Sequence, residues 1–159
     1  MGSTIPWKRS IPSPTSLRLS HDDVRAELVR ATLEGGQIAA AAKRLASLCL
    51  PHFDVEEKFT CPALGLLPDL IKGMVRPEMV AVLPLICDFS AKHAALDHQH
   101  ESIQCAIDAL LVAAHEEKNR DVAAFAHNMR VHEKIEEEVI YPTVIMIGNY
   151  VRERLAMQP

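Results

Sequence analysis

Two stretches of the chain match each other and decide the fold: HFDVEEKFTCP at residues 52–62 and HEKIEEEVIYP at residues 132–142. In both stretches a histidine is followed, four residues later, by two adjacent glutamates, and a proline ends the match. A second match lies upstream, where HDDVRAEL at residues 21–28 corresponds to HESIQCAI at residues 100–107. An internal repeat of this kind predicts that the chain is built from two related halves.

The bulk composition is that of an ordinary single globular domain. The chain has 159 residues, of which 48% are hydrophobic and 24% charged, and its net charge is −4. This charge argues against nucleic acid as a partner, because no basic cluster offsets it. No signal peptide and no long apolar run are evident, so we expect a cytoplasmic protein with no membrane association. The cysteines show no framework spacing and are expected to be reduced thiols.

Apolar periodicity predicts a series of helices with short connections. The pattern Ser20-x-x-Asp23 resembles a capping box and predicts the start of the first helix, which Gly35-Gly36 ends. Residues 1–19, rich in proline and serine, are expected to form an irregular N-terminal arm before a domain that covers residues 20–159. The four predicted helices cover about residues 21–34, 37–60, 91–116 and 120–140. A short C-terminal helix within residues 144–155 is expected to cover one end of the domain.

Short loops between successive helices require antiparallel neighbours. The predicted fold is therefore all-α, an antiparallel up-down four-helix bundle with a pseudo-two-fold internal repeat. At about 1.5 Å of rise per residue, each hairpin returns its second histidine to the level of its first. We therefore expect the repeated histidines to lie at one level, namely His21, His52, His100 and His132.

Glu56 and Glu136 each lie one helical turn after a repeated histidine, on the same helix face. Two such His/Glu pairs facing each other would form a cage for two metal ions, an arrangement that recurs in helical carboxylate proteins. The alternative is a duplicated bundle whose polar residues face solvent. The shared register favours the metal site, because burying this many imidazoles and carboxylates without a compensating cation is costly.

A lone His followed by His-x3-Glu-Glu and an apolar-Pro ending, given twice, resembles the hemerythrin-like (HHE cation-binding) family. The resemblance covers about residues 20–142. It implies a four-helix bundle that holds a non-haem di-iron centre in which carboxylates bridge the two irons and an open position meets dioxygen.

The resemblance also implies a set of ligands. One iron takes His21 and His52, the other takes His100 and His132, and Glu56 and Glu136 bridge them. Glu57 and Glu137 match the doubled glutamate of the family and act either as groups that orient the ligands or as solvated helix charges. His93, seven residues before His100, is either a fifth histidine ligand or a helix-end residue. Zinc or manganese could replace iron in such a donor set.

Several functions remain open at this point. Oxygen-carrying members of the family have a further histidine where this chain has Leu96, so the resemblance favours oxygen, redox or iron sensing, with dioxygen or a related small oxidant as the ligand. One alternative is a di-iron enzyme that reduces peroxide or oxygen. Another is a zinc-binding or metal-free helical interaction protein. A protein partner or a homodimer would be consistent with any of these.

Overall fold

The computed structural model describes residues 15–157, and the side chains of residues 20–157. Within this part of the chain there are helices and turns and no strand. Four helices pack together as a helical bundle: α1 (Thr15–Leu33), α2 (Gly36–Leu64), α4 (Leu83–Glu116) and α5 (Arg120–Ile135). The short helix α3 (Leu67–Leu70) and a 3₁₀ segment (Pro77–Val82) connect α2 to α4, and α6 (Tyr141–Ala156) follows a π turn (Glu136–Ile140).

Helix α1 begins earlier than predicted, and the predicted arm is wrong for its last residues. Residues 15–19 are helical, whereas residues 1–14 of the arm lie outside the described part of the chain. Leucine and arginine at positions 17–19 are good helix formers and continue the helix beyond the supposed start. Ser20 is therefore not an N-cap, and its side chain instead contacts His132.

The other boundaries lie within five residues of those predicted, except that α4 begins at Leu83, whereas the predicted helix began at about residue 91. Asn119 caps α5, because its side chain accepts a hydrogen bond from the backbone N–H of Val122. Pro84 does not interrupt α4, since it lies in the first turn, where proline leaves no hydrogen bond unmade. Pro142 does not end the helical run either, because a π turn accommodates it.

The π turn has a local cause in Pro142, which cannot donate a backbone hydrogen bond. The backbone N–H of Tyr141 reaches back to the carbonyl of Glu136, a five-residue step in place of the usual four. The wider turn brings Tyr141 onto the face of the helix that carries Glu136. Single π turns of this kind occur frequently at functional sites.

Two apolar clusters make up the core. The first lies toward the α1–α2 and α4–α5 loops and includes Leu28, Ile38, Leu45, Ile107 and Phe125. The second combines the end of α2 and the start of α4 with α6, and it includes Phe59, Phe89, Tyr141, Val144 and Val151. As predicted, α6 buries an apolar face and covers one end of the bundle.

A layer of buried polar residues lies between the two apolar clusters. Along α2, His52 and Glu56 fall between the residues that serve the first cluster and those that serve the second, and His100 takes the same place on α4. Burial of this layer is nearly complete. Its members are His21, His52, Glu56, His100, Glu133 and Glu136, each at most 4% exposed.

The end of the bundle with the short loops is held by a side-chain cap. Glu117, just after α4, accepts a hydrogen bond from the amide of Gln37 at 2.7 Å, at the start of α2. Gly36 has a φ of +56°, and a Cβ there would lie 2.6 Å from the Glu117 carboxylate. Glycine is favoured at this position by its left-handed backbone conformation.

The segment Pro77–Glu116 is long and apolar enough to cross a membrane when judged by length and composition alone. Core helices of soluble proteins, which are mostly buried, meet the same criterion, and 28% of the apolar window in this segment is buried. Here the segment carries His100 into the polar layer and contributes Ile103, Ile107 and Leu110 to the first apolar cluster.

Candidate metal centre

The buried layer contains two groups of side chains whose donor atoms converge. The His52/His100 group consists of His52, His100, Glu133 and Glu136, and the His21/His132 group consists of His21, His132 and Glu136. In each group the donor atoms all lie within 4.8 Å of one another. Glu136 belongs to both groups and therefore joins them.

The His21/His132 group is centred on one oxygen of Glu136. The Oε1 atom lies 2.7 Å from Nε2 of His132 and 3.3 Å from Nε2 of His21. Glu56 adds a further carboxylate, since its Oε2 lies 3.4 Å from Nε2 of His21. The ring of His21 stacks on Phe53 with 4.3 Å between centroids, which fixes the plane of the imidazole.

The His52/His100 group is centred on Nε2 of His100. This nitrogen lies 2.9 Å from Nε2 of His52, 3.3 Å from Oε2 of Glu133 and 3.6 Å from Oε2 of Glu136. The hydroxyl of Tyr141 also approaches it, at 3.2 Å. One nitrogen cannot satisfy all of these neighbours by hydrogen bonding.

The outer nitrogens of the histidines are held by a matching set of partners. Nδ1 of His21 lies 2.8 Å from Glu57, and Nδ1 of His100 lies 2.8 Å from Glu137. These contacts support the orienting role of the doubled glutamates over that of solvated helix charges. Nδ1 of His52 lies 3.1 Å from Oε1 of Gln99.

The tautomers of His21, His52 and His100 can be assigned from these hydrogen bonds. A carboxylate or amide oxygen beside Nδ1 accepts a hydrogen bond from Nδ1–H, so in the neutral ring Nε2 carries the lone pair. The Nε2 atoms of His52 and His100 then present two lone pairs to each other across 2.9 Å. This contact is repulsive unless a proton or a cation lies between the nitrogens. A ring with its proton on Nδ1 and its lone pair on Nε2 is also the tautomer that a metal-ligating histidine adopts.

Several buried oxygen and nitrogen atoms in the layer have no hydrogen-bond partner among the described residues. They are Oε2 of Glu56, Nε2 of His132, both carboxylate oxygens of Glu133 and Oε2 of Glu136. His132 Nε2 is close to Glu136, but the geometry is not that of a hydrogen bond. Unpartnered buried polar atoms are costly and call for an explanation such as an ion.

The distances fit coordination of a metal ion. Two donors about 2.1 Å from one ion, at angles near 90–109°, lie roughly 3.0–3.4 Å apart. The measured separations within the groups, 2.7–3.6 Å around Glu136 and His100, span this range. The donor set and the orphaned atoms thus fit one metal ion in each group, and the buried His/Glu cluster is able to hold metal.

The electrostatics of the layer point the same way. Burial, together with the negative charges of Glu136 and Glu137, raises the pKa of Glu133 to about 9. Burial and the neighbouring Glu136 likewise raise the pKa of Glu56 well above its usual range. Burial acts to raise the pKa of Glu136 too, but His132 and His21 hold it well below the usual value. Carboxylates crowded in this way are stabilised by a cation.

Each residue predicted to be a ligand can now be located. His21, His52, His100, His132, Glu56 and Glu136 all lie in the buried layer or at its edge, with His132 the most exposed at 14%. The histidines are paired differently from the expectation, because His21 groups with His132 and His52 groups with His100. Each pair therefore combines one histidine from each half of the sequence.

His93 is not a member of either group. It lies 3.1 Å from Asp97, and its ring packs edge-on against Tyr141 with 5.5 Å between centroids. Tyr141 therefore stands between His93 and the histidines of the layer. His98, two residues before His100, is exposed and pairs with Glu101.

Glu133 and Tyr141 were missed by the sequence analysis. Glu133 follows His132 directly, and its counterpart in the first half is Phe53, so comparison of the repeats does not reveal it. A signal was nevertheless present: Val122, Ala126, Met129 and Glu133 are spaced as one buried helix face. A glutamate at a core position of that face indicates a functional residue, because a carboxylate is costly to bury.

A groove of about 330 Å³ between α2 and α4 reaches the layer from outside. His52 and Gln99 line it together with Pro51, Val55 and Ser102. His52 and Gln99, which both line the groove, are hydrogen-bonded to each other.

Comparison with known proteins finds no protein family, no curated protein and no solved structure that matches this chain.

Proposed function

We propose that the chain is a hemerythrin-like di-metal protein whose buried layer binds two ions, one in each histidine group, with Glu136 bridging them. The observation that carries the proposal is the position of Glu136. Its Oε1 faces His21 and His132, whereas its Oε2 faces His100. A carboxylate with one oxygen toward each histidine pair is the arrangement that a bridge between two ions requires.

The proposal includes an antiparallel bundle with a pseudo-two-fold repeat. The first apolar cluster draws on the C-terminal parts of α1 and α4 and the N-terminal parts of α2 and α5, as antiparallel neighbours would. Corresponding contacts also recur in the two halves. Glu57 holds His21 as Glu137 holds His100, and Ser20 meets His132 as Gln99 meets His52.

We further propose that the ions are iron and that the ligand is dioxygen or a related small oxidant, in a sensing or oxygen-binding role. Imidazole and carboxylate donors suit iron, and they also accept zinc or manganese. Bound iron would supply reactivity toward oxidants. The protein orients the imidazoles through Glu57, Glu137 and Gln99 and excludes bulk water from the layer.

A second candidate is a di-iron enzyme that reduces peroxide or oxygen. The groove between α2 and α4 favours it, because a small substrate that enters there meets His52, one of the proposed ligands. Steady consumption of peroxide by the iron-loaded protein with an added reductant would support turnover. Stoichiometric binding without consumption would instead support sensing.

The first experiment is a measurement of metal content per chain, together with an absorption spectrum, on protein produced in iron-supplemented cells. We expect two irons per chain and an oxo-bridge charge-transfer band. His100→Ala should lose metal, whereas His98→Ala should retain it, because His98 is an exposed neighbour on the same helix.

Other outcomes separate the parts of this proposal. Zinc alone would retain the metal site and contradict the redox role. Absence of metal after reconstitution would contradict the proposal as a whole.

A further inference from the structure

The two histidine groups differ at a position where the two halves of the sequence correspond. Residue 53 in the first half is phenylalanine, and it stacks on His21. Residue 133 in the second half is glutamate, and its Oε2 lies 3.3 Å from Nε2 of His100. The same backbone position therefore supplies an apolar ring to one group and a carboxylate to the other.

A second matched position differs in the same sense. Tyr141 directs its hydroxyl to within 3.2 Å of Nε2 of His100, and its ring stacks on His100 with 5.6 Å between centroids. Its counterpart in the first half is Cys61, which is not among the donors that gather around His21 and His132 in the described chain. The His52/His100 group thus has an additional oxygen beside Nε2 of His100.

Glu133 is also the most completely buried of the polar and charged side chains in the described part of the chain. It is 0% exposed, and neither of its carboxylate oxygens has a hydrogen-bond partner among the described residues. A buried carboxylate without a partner gains more from an adjacent cation than one that is already hydrogen-bonded. Glu136, by contrast, is shared between the groups and does not distinguish them.

We infer that the two metal positions are inequivalent: the His52/His100 position binds the first divalent ion and releases it last, and the His21/His132 position is the labile one. The inference rests on the proposed function. It follows from the donors, since the first position has two histidines, Glu133, a share of Glu136 and the hydroxyl of Tyr141. The second has two histidines and the other share of Glu136, with Phe53 in place of a carboxylate. Glu56 lies between the positions, with its Oε2 3.4 Å from Nε2 of His21 and 4.0 Å from Nε2 of His52.

A calorimetric titration of the metal-free protein with Co²⁺ tests the inference. We expect two binding steps of different affinity. Glu133→Gln, which keeps the shape of the side chain, should weaken the tight step by at least about tenfold and leave the weak step in place. His132→Gln should remove the weak step and leave the tight one. Glu138→Gln, an exposed change on the same helical run, should alter neither step.

Release of Co²⁺ from the loaded protein to a chelator provides a second readout. A fast phase should empty the His21/His132 position and a slow phase the His52/His100 position, with the slow phase accelerated by Glu133→Gln. Two ions bound with equal affinity, or a tight step lost in His132→Gln and kept in Glu133→Gln, would overturn the inference and leave the proposed function standing. Failure of the unmodified protein to bind any ion would overturn both.

Discussion

The His21/His132 group and the His52/His100 group each combine one histidine from each half of the sequence, yet they are not copies of each other. Each has two histidines, and the inner nitrogens of His21, His132 and His100 lie 2.7–3.6 Å from Glu136. The first is closed by the ring of Phe53, while the second is faced by the carboxylate of Glu133 and the hydroxyl of Tyr141. Residues that both groups need are repeated, whereas the residues beside them have diverged.

The outer contacts show how this divergence leaves the frame intact. His21 and His100 are both held by a glutamate from the same half of the chain, at 2.8 Å in each case. His52 and His132 are both held by a residue from the other half, Gln99 and Ser20. The frame that orients the imidazoles is therefore common to both groups, and the difference lies in what the imidazoles face.

Removal of Glu136 should eliminate the feature that the two groups share. We expect Glu136→Ala to lower the affinity for both ions by more than about 100-fold, beyond what loss of an orienting residue costs. Metal analysis and calorimetric titration would measure this. If Glu136→Ala lost only one ion, the carboxylate would belong to one group and the proposed bridge would be incorrect.

Truncation of Phe53 should destabilise the fold of the first half of the chain more than it weakens metal binding there. Phe53 is fully buried, and Phe53→Ala should lower the free energy of unfolding by about 3–5 kcal/mol. Urea unfolding of the metal-free protein would measure the change. Val131→Ala, at a position that is 56% exposed, is the control and should change the stability by less than about 0.5 kcal/mol. A small effect of Phe53→Ala would mean that the ring does not pack as described.

Loss of Glu57 and loss of Glu137 should each weaken metal binding at a different histidine group. Glu137→Ala should weaken binding at the His52/His100 group, and Glu57→Ala should weaken it at the His21/His132 group, each by about 10–100-fold. The two steps of a Co²⁺ titration report the two positions independently. Glu57 is also paired with Arg25 at 3.0 Å, so Arg25→Ala should reproduce part of its effect. Equal weakening of both steps by either glutamate variant would contradict the assignment.

Removal of the neutral outer partners should have the smallest effect. A hydrogen bond between uncharged groups contributes about 0.5–1.5 kcal/mol, so Gln99→Ala should weaken one binding step by roughly 2–10-fold. Ser20→Ala should have less effect, because its contact with His132 is longer, 3.3 Å against 3.1 Å for Gln99. Calorimetry on both variants would rank them. A larger effect for Ser20→Ala than for Glu57→Ala would reverse the order expected from charge.

The sequence predicted the helical fold and the gathering of the histidines because both depend on periodicity and register. His21, His52, His100 and His132 recur at matching intervals, and helices of fixed rise bring them to one level. That these residues bind metal stays a prediction. Which histidines would share an ion could not be read from the sequence, because that depends on which helices are neighbours across the bundle.

The remaining features depend on local departures from periodicity. Pro142 indicated an end to the helix, but a π turn absorbs it and keeps Tyr141 beside Glu136. Glu133 was not predicted because its counterpart in the repeat is Phe53. Comparison of the two halves finds the residues that they share and not those in which they differ. The start of α1 was misplaced because Ser20 has the residue type of a helix cap while its side chain contacts His132.

The polar layer that divides the core has a consequence for how the molecule unfolds. Because two apolar clusters are separated by imidazoles and carboxylates, we expect the metal-free chain to unfold as two cooperative units linked by the helices that run through both. Bound ions would join those units across the layer, because the proposed ligands lie on helices between the two clusters. Amide hydrogen exchange should therefore show two levels of protection without metal and a single level with it, which would make metal occupancy a determinant of folding cooperativity.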